Sequence, residues 1–441
     1  MKRQRILEFA RAVAVLAAFV GVASRLALGA TVQVAANGSD SFGCGSSASP
    51  CRTISQAIAN ANPGDTVLVG PGVYGDVNAD GDLADPGEEN SGVAGKTIVV
   101  SKNLVLVSRD GAGSTVIRTV ASSTALSIEA SDVALGKKGR GFTVRGASGS
   151  TGIAVGAGLS NVTIMGNVVD GHPAALATVD GSNHQIRNNW WTAGFLRVGG
   201  TTVLVRDNLF IGGGLVLLPG ASGVTIDRNQ VQRSTGVGID LDGTGHTVRR
   251  NVVSMGLAGA AFRCQNTCSA VVFQDNIARR NNGHGFEVLS GANHVLTGNL
   301  ASGNASSGFY FNVPVAVTVT LTRNIAAGNG AAGFTFLGMS DNMNMPVVTN
   351  CASVGNQGDG IQVAGYLKVE KSSLYGNLGS GFNCGINKTS ALGSVLAQQN
   401  YWGASSGPGP DPADQLCGQS AQIDATNPAP SEVKVTTQRN P

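Results

Sequence analysis

The chain has 441 residues, of which 42% are hydrophobic, and that share excludes a disordered low-complexity segment. Only 13% are charged, about half the usual fraction, while glycine supplies 63 residues, about twice its usual share. The formal charge of +3 rests on the start of the chain, where Lys2, Arg3, Arg5, Arg11 and Arg25 against Glu8 give a surplus of four; without it the charge is −1, which argues against a nucleic-acid partner.

That start reads as a secretory signal over residues 1–29. Lys2, Arg3 and Arg5 form its basic end, and residues 12–22 an apolar stretch too short to span a bilayer. Ala27 and Gly29 suit cleavage after Gly29. The expected protein is exported (extracellular, periplasmic or at the cell surface), with no membrane span after cleavage.

Residues 30–65 do not repeat and are expected to form an N-terminal cap. Cys44 and Cys51 bracket a Gly/Ser/Pro loop and are expected to pair. Thr53-Ile-Ser-Gln-Ala-Ile-Ala reads as a short amphipathic helix with Ile54, Ala57 and Ile58 on one face. Pro63-Gly64-Asp65 is a turn, and Thr66-Val-Leu-Val69 a strand. An acidic segment comes next, with oxygen donors at Asp76, Asn78, Asp80, Asp82, Asp85 and Glu88 and a glycine, Gly81, after the third. Alternate donors around a glycine resemble a calcium loop, so a structural Ca2+ is expected there. The pattern departs from an EF-hand in placing Gly87 twelfth and Glu88 one later; the competing reading is a solvated acidic insertion.

From residue 66 to 400 a pattern recurs every 19–28 residues. An alternating apolar run ends in asparagine: Val162-Thr-Ile164-Met-Gly-Asn167, Val203-Leu-Val205-Arg-Asp-Asn208, Val224-Thr-Ile226-Asp-Arg-Asn229, then Asn251, Asn276, Asn299, Asn324, Asn350 and Asn400. A second pattern is interleaved, as in Asn281-Asn-Gly-His-Gly-Phe286, Asn304-Ala-Ser-Ser-Gly-Phe309 and Asn377-Leu-Gly-Ser-Gly-Phe382. Such a period means a solenoid. A leucine-rich repeat would add further leucines and a convex helix; here the remainder of each repeat is more short strand, such as Phe286-Glu-Val288 and His294-Val-Leu-Thr297. The expected fold is all-β, a parallel β-helix over 66–400 with a short N-terminal capping helix and a tail over 401–441.

The opening Cys44-Gly…Pro50-Cys51-Arg-Thr-Ile-Ser-Gln-Ala-Ile, the run Gly64-Asp-Thr-Val-Leu-Val-Gly-Pro-Gly-Val-Tyr74 and the closing Asn400-Tyr-Trp-Gly403…Gly407-Pro-Gly-Pro-Asp-Pro412 resemble secreted members of the right-handed parallel β-helix (pectin-lyase-like) family. The resemblance spans roughly Cys44 to Cys417. It implies the fold but names no reaction, since the family includes polysaccharide lyases, hydrolases, epimerases and adhesins.

Stacked coils turn equivalent residues into columns. Ile239, Phe262, Phe286, Phe309, Phe334, Ile361 and Phe382 form one, and Leu241, Cys264, Val288, Phe311, Phe336, Val363 and Cys384 another; both are expected to point inward. The asparagines are expected to occupy left-handed turns and to bond neighbouring backbone. Between the inward columns lie Asp240, Arg263, Glu287, Tyr310, Thr335, Gln362 and Asn383, preceded by Ala154, Ala177 and Val216, so charge begins at Asp240. Asp242 lies one outward position further on. In family enzymes this sheet floors the saccharide groove. The resemblance therefore implies a candidate site with Asp240, Asp242 and Glu287 as catalytic carboxylates and Arg263, Tyr310 and His284 as saccharide-binding groups. The competing reading is a surface ion ladder. His284 completes a Gly-His-Gly similar to one in polygalacturonase-type hydrolases, but the aspartates and Arg-x-Lys that accompany it there are not evident. His172 and His246 fall at turns and are expected to be solvated. For Cys264 with Cys268 and Cys384 with Cys417, pairing and simple core burial both fit, and Cys351 is left over as a small core residue. The expected function is recognition of a polysaccharide or cell-surface glycan, extending to its cleavage; the alternative is a non-enzymatic adhesin or spacer.

Overall fold

Most strands are three to five residues long, because the apolar–polar alternation lasts only that far before a turn residue intervenes. The computed structural model describes residues 29–172, 175–313, 318–338 and 342–436. The expected secretory segment lies outside the described residues, save for Gly29. Each coil gives one strand to each of three parallel sheets. Among the described residues the first sheet has 16 strands, from Thr31–Val34 to Ile423–Asp424; the second has 13, from Gly72–Gly75 to Ser373–Tyr375; the third has 14, from Lys96–Val100 to Gln415–Gly418. Strands cross both expected limits of the coils: Thr31–Val34 pairs with Thr66–Val69, and Gln415–Gly418 and Ile423–Asp424 join the far end.

The inward positions fill the core. Val205, Ile226, Val248, Phe273 and Leu296 follow one another in register in the first sheet, all fully buried or nearly so. In the third sheet Phe262, Phe286, Phe309 and Phe334 stack one per coil at centroid distances of 4.7, 4.8 and 4.8 Å, the rung spacing itself. Each buried phenylalanine contributes roughly 1.5–3 kcal/mol.

The last coil departs from the expected columns. Gly379–Gly381 forms a single 3-10 turn, and the register then places Ile386 beside Ile361 and Lys388 beside Val363. Phe382, expected inside, is 67% exposed, and Asn387 rather than Asn383 is the outward neighbour of Gln362. Lys388 is buried, its ammonium donating to the carbonyls of Ser390 and Leu392. Ala177, expected outward, is likewise buried; Thr178 takes that position beside Ala154.

Two ladders of buried amides hold the corners. At the first-to-second sheet corner, Oδ1 of Asn276 accepts both the backbone N–H and the amide of Asn251, at 3.0 Å each, while its own amide donates to Val248 O at 2.8 Å. The same bonds recur along Asn167, Asn189, Asn208, Asn229, Asn251, Asn276, Asn299 and Asn324. The left-handed turn is made by the residue before each asparagine, not by the asparagine: Asp207, Arg228 and Arg250 have φ of 55°, 54° and 54°. Cys351, not Asn350, continues the ladder, with its Sγ 3.4 Å from Asn324 N. It is unpaired and fully buried among the core residues, as expected, and burial pushes its thiol up to about 12. Asn281, Asn304, Asn329, Asn356 and Asn377 form the second ladder, which ends on the buried carboxylate of Asp414.

Disulfides join Cys44 to Cys51, Cys264 to Cys268 and Cys384 to Cys417. The one α-helix among the described residues, Ile54–Asn60, buries Ile54, Ala57 and Ile58. Thr53 Oγ1 accepts from Gln56 N at its start, and Glu89 accepts from the N–H groups of Ile54 and Ser55. No helix among the described residues is long and apolar enough to cross a membrane.

Candidate functional site

The third sheet sets the outward candidates on adjacent rungs. Asp240, Arg263, Glu287 and Tyr310 are register partners in Ile239–Leu241, Phe262–Cys264, Phe286–Val288 and Phe309–Asn312. Alternation forces them outward because the residue on each side is core. The structure thus brings these four together, but it gives them unequal freedom.

Asp240 is only 8% exposed, because Arg263 lies over it. The guanidinium donates from Nε to Oδ1 at 3.0 Å and from Nη2 to Oδ2 at 2.7 Å, and Gln265 adds a bond at 3.1 Å. Asp242 is buried and turned away from the column. Its carboxylate accepts from Gly243 N, Thr267 N, Thr267 Oγ1 and Asn266 Nδ2, tying down the loop closed by Cys264 and Cys268. Burial works against its ionisation, yet those donors hold it below the ordinary carboxylate range. Glu287 has no such anchoring. Burial pushes its carboxyl up, Arg263 pulls it down, and Asp240 pushes up again; the net direction is up. Glu287 is half-buried rather than fully exposed.

His284 belongs to the same patch. Its ring stacks on Tyr310 with centroids 4.3 Å apart and planes 23° from parallel. Nδ1 accepts from Ser307 N at 3.2 Å, and burial holds the imidazole below its usual range, so the ring is neutral at pH 7. The result is a platform of two rings beside one carboxylate and one guanidinium. Sequence reasoning missed Arg197, an exposed residue of this column two rungs before Asp240. The strand Phe195–Val198 carries its signal, with Leu196 and Val198 on the inward side.

The other histidines lie inside. His184, His246 and His294 occupy a buried column held elsewhere by Val162, Val203, Val224 and Val271. In each, Nε2 donates to the carbonyl four residues earlier and Nδ1 accepts a backbone N–H of the previous coil. His172 is fully buried, between Ser150 Oγ and Val144 O, and burial drives it down to about 4. The solvated positions expected for His172 and His246 are thus core positions.

Of the six donors in the acidic segment, three converge. Carboxylate oxygens of Asp76, Asp80 and Glu88 lie within 4.8 Å of one another. Asn78 turns its amide to Asp80 and Asp85 at 2.9 and 2.5 Å, Asp82 accepts from Ala84 N, and Asp76, Asp80 and Glu88 likewise accept backbone N–H groups of the segment.

The family model "Right handed beta helix region" matches residues 213–378. That match spans less than half of the chain, and the fold of the described residues is a right-handed parallel β-helix. No curated protein matches it. This β-helix is similar to the Dettilon tailspike protein (gp208), 12% identical with a TM-score of 0.46, over 82% of this chain and 63% of that one. It is also similar to the Azotobacter vinelandii mannuronan C-5 epimerase AlgE4 A-module, 16% identical, TM-score 0.37, over 83% and 91%. A third is the GH87 alpha-1,3-glucanase catalytic unit of Streptomyces thermodiastaticus, 13% identical, TM-score 0.40, over 87% and 66%. The chain spans less than two thirds of the tailspike's length.

Proposed function

We propose that this β-helix is an exported glycan-binding protein whose site is the third-sheet platform of Arg263, Glu287, Tyr310 and His284. The observation that carries the reading is the ring pair His284–Tyr310 set beside Glu287, one rung from Arg263. Stacked rings offer the apolar face of a sugar a flat partner, and the flanking charges offer its hydroxyls directional bonds. Three disulfides support an oxidising compartment.

Binding is favoured over hydrolysis for a chemical reason. A glycosidase needs two carboxylates free to exchange protons or attack. Asp240 is clamped by Arg263 and Gln265, and Asp242 is saturated by four donors, which leaves Glu287 alone. A glycan array paired with an assay for new reducing or unsaturated ends tests this: glycans retained, without new ends, support it. Loss of retention in Tyr310→Ala would place the binding here; no retained glycan in the unaltered protein would refute the reading and leave the spacer in front.

A structural calcium ion at Asp76, Asp80 and Glu88 is proposed as a separate feature. Calcium should then raise the melting temperature, since a ligand bound only by the native state stabilises it, and Asp80→Ala should abolish the rise. A melting curve unmoved by calcium or chelator would mean a solvated loop.

A further inference from the structure

A different side of the solenoid carries a feature that the third-sheet platform does not use. It lies where the first sheet turns into the second. Outward positions of the first sheet there run Arg187, Arg206, Asp227 and Arg249 on successive rungs. Asp227 is fully buried, and Arg206, Arg249 and Arg250 close on it at 3.5, 3.5 and 2.8 Å. Arg206 also reaches Asp207 at 3.3 Å, so Asp207 and Asp227 together face four guanidiniums, those of Arg206, Arg228, Arg249 and Arg250, which leaves two positive charges in excess. Arg187 adds another, with its Nε buried and unpartnered. Arg228 grips Asp207 with both Nε and Nη2 at 2.7 Å, at a partly exposed bridge whose guanidinium an acidic group of a ligand would share with that carboxylate.

Across the corner Trp190, Leu209 and Gln230 follow in register along the second sheet. With Asn188, Asp207 and Arg228 they line a groove of about 490 Å³. Trp190 is 47% exposed, whereas Trp191 and Trp402, the other two tryptophans, are fully buried. Core packing accounts for Trp191 and leaves Trp190 without a structural task.

We propose that this groove and the first-sheet face beside it bind an anionic polysaccharide, a uronate or sulfated chain, with Trp190 against a sugar ring, and with Arg228 in the groove and Arg187 and Arg206 on the adjoining face meeting its acidic groups. The guanidinium fork matches carboxylate and sulfate oxygens, and rungs about 4.8 Å apart repeat it at the scale of one sugar unit. An indole facing sugar and cations facing acid divide the two halves of such a ligand between the two sheets. The proposal stands independently of the third-sheet platform.

Trp190 supplies its own readout. Acrylamide quenching of tryptophan fluorescence should be relieved by polygalacturonate or dextran sulfate and not by neutral dextran, with protection fading as salt rises. The two anionic probes distinguish carboxylate from sulfate. Arg187→Ala with Arg228→Ala should weaken the binding about tenfold or more, the equivalent of about 1.4 kcal/mol. Trp190→Ala should weaken it in affinity electrophoresis, and Glu287→Gln should leave it unchanged. Absence of protection by both anionic chains, equal protection by dextran, or tighter binding of single-stranded DNA would overturn the proposal. Binding lost in Glu287→Gln but kept in the arginine double variant would overturn it while leaving the third-sheet platform standing.

Discussion

The asparagine ladder and the outward column of the third sheet are both polar columns built on one repeat, yet they behave oppositely. In the ladder the residue hardly changes from Asn167 to Asn324, and every amide is buried and bonded to the next coil. In the outward column it changes at each rung, from Val216 through Asp240, Arg263 and Glu287 to Tyr310. Constancy along a solenoid marks a group that its neighbours need. Change marks a position that the fold leaves open, and there a binding surface can be written without cost to the coils.

The contrast is tested most severely by Asn276→Ala. It strips the acceptor from the backbone N–H and amide of Asn251 and the donor from Val248 O, so denaturation should show a loss of about 4 kcal/mol. A loss under about 1 kcal/mol would mean that the ladder is ornamental. Acid should act on the buried histidines. His172 falls from 6.5 to about 4 on folding, so its neutral form supports the fold above pH 6.5 and that support is lost as pH drops toward 4, by about 3 kcal/mol. His184, His246 and His294 are shifted down in the same way by burial and add to the loss. His246→Val, which installs the residue of the neighbouring coils, should flatten the melting-temperature profile between pH 7 and 4. A profile as steep as before would shift the cause to other groups. A smaller effect is expected at Cys351→Asn, which supplies the missing rung and should stabilise by about 1 kcal/mol; a lower melting temperature would show that the cavity is shaped for sulfur.

The same contrast explains what could be read in advance. Repetition made the coils and the inward phenylalanines legible, because a column must satisfy one geometry many times. Asn350 misled because two consecutive residues, Asn350 and Cys351, compete for the ladder, and the backbone gives the left-handed turn to the first. Phe382 misled because Asn377-Leu-Gly-Ser-Gly-Phe382 copies the repeat, but after the turn at Gly379–Gly381 the strand starts only at Cys384, so Ile386 takes the place beside Ile361. At the site, alternation located Asp240, Arg263, Glu287 and Tyr310, but the bond that Gln265 adds to Arg263's clamp on Asp240 and the donors Asn266 and Thr267 around Asp242 come from a loop with no repeat signal. Trp190 and Arg197 were hidden for a related reason: each is outward only once its neighbour is known to be inward.

If the outward column of the third sheet binds a glycan while the fold does not depend on it, binding and stability must separate on mutation. The direct test uses Glu287→Gln with Tyr310→Ala, since Arg263→Ala would also orphan the buried Asp240 carboxylate. Affinity for a retained glycan and the melting curve should be measured on the same samples. Affinity should fall about tenfold or more while stability changes by about 0.5 kcal/mol or less. Unchanged affinity, or a collapse of the melting curve along with it, would contradict that separation.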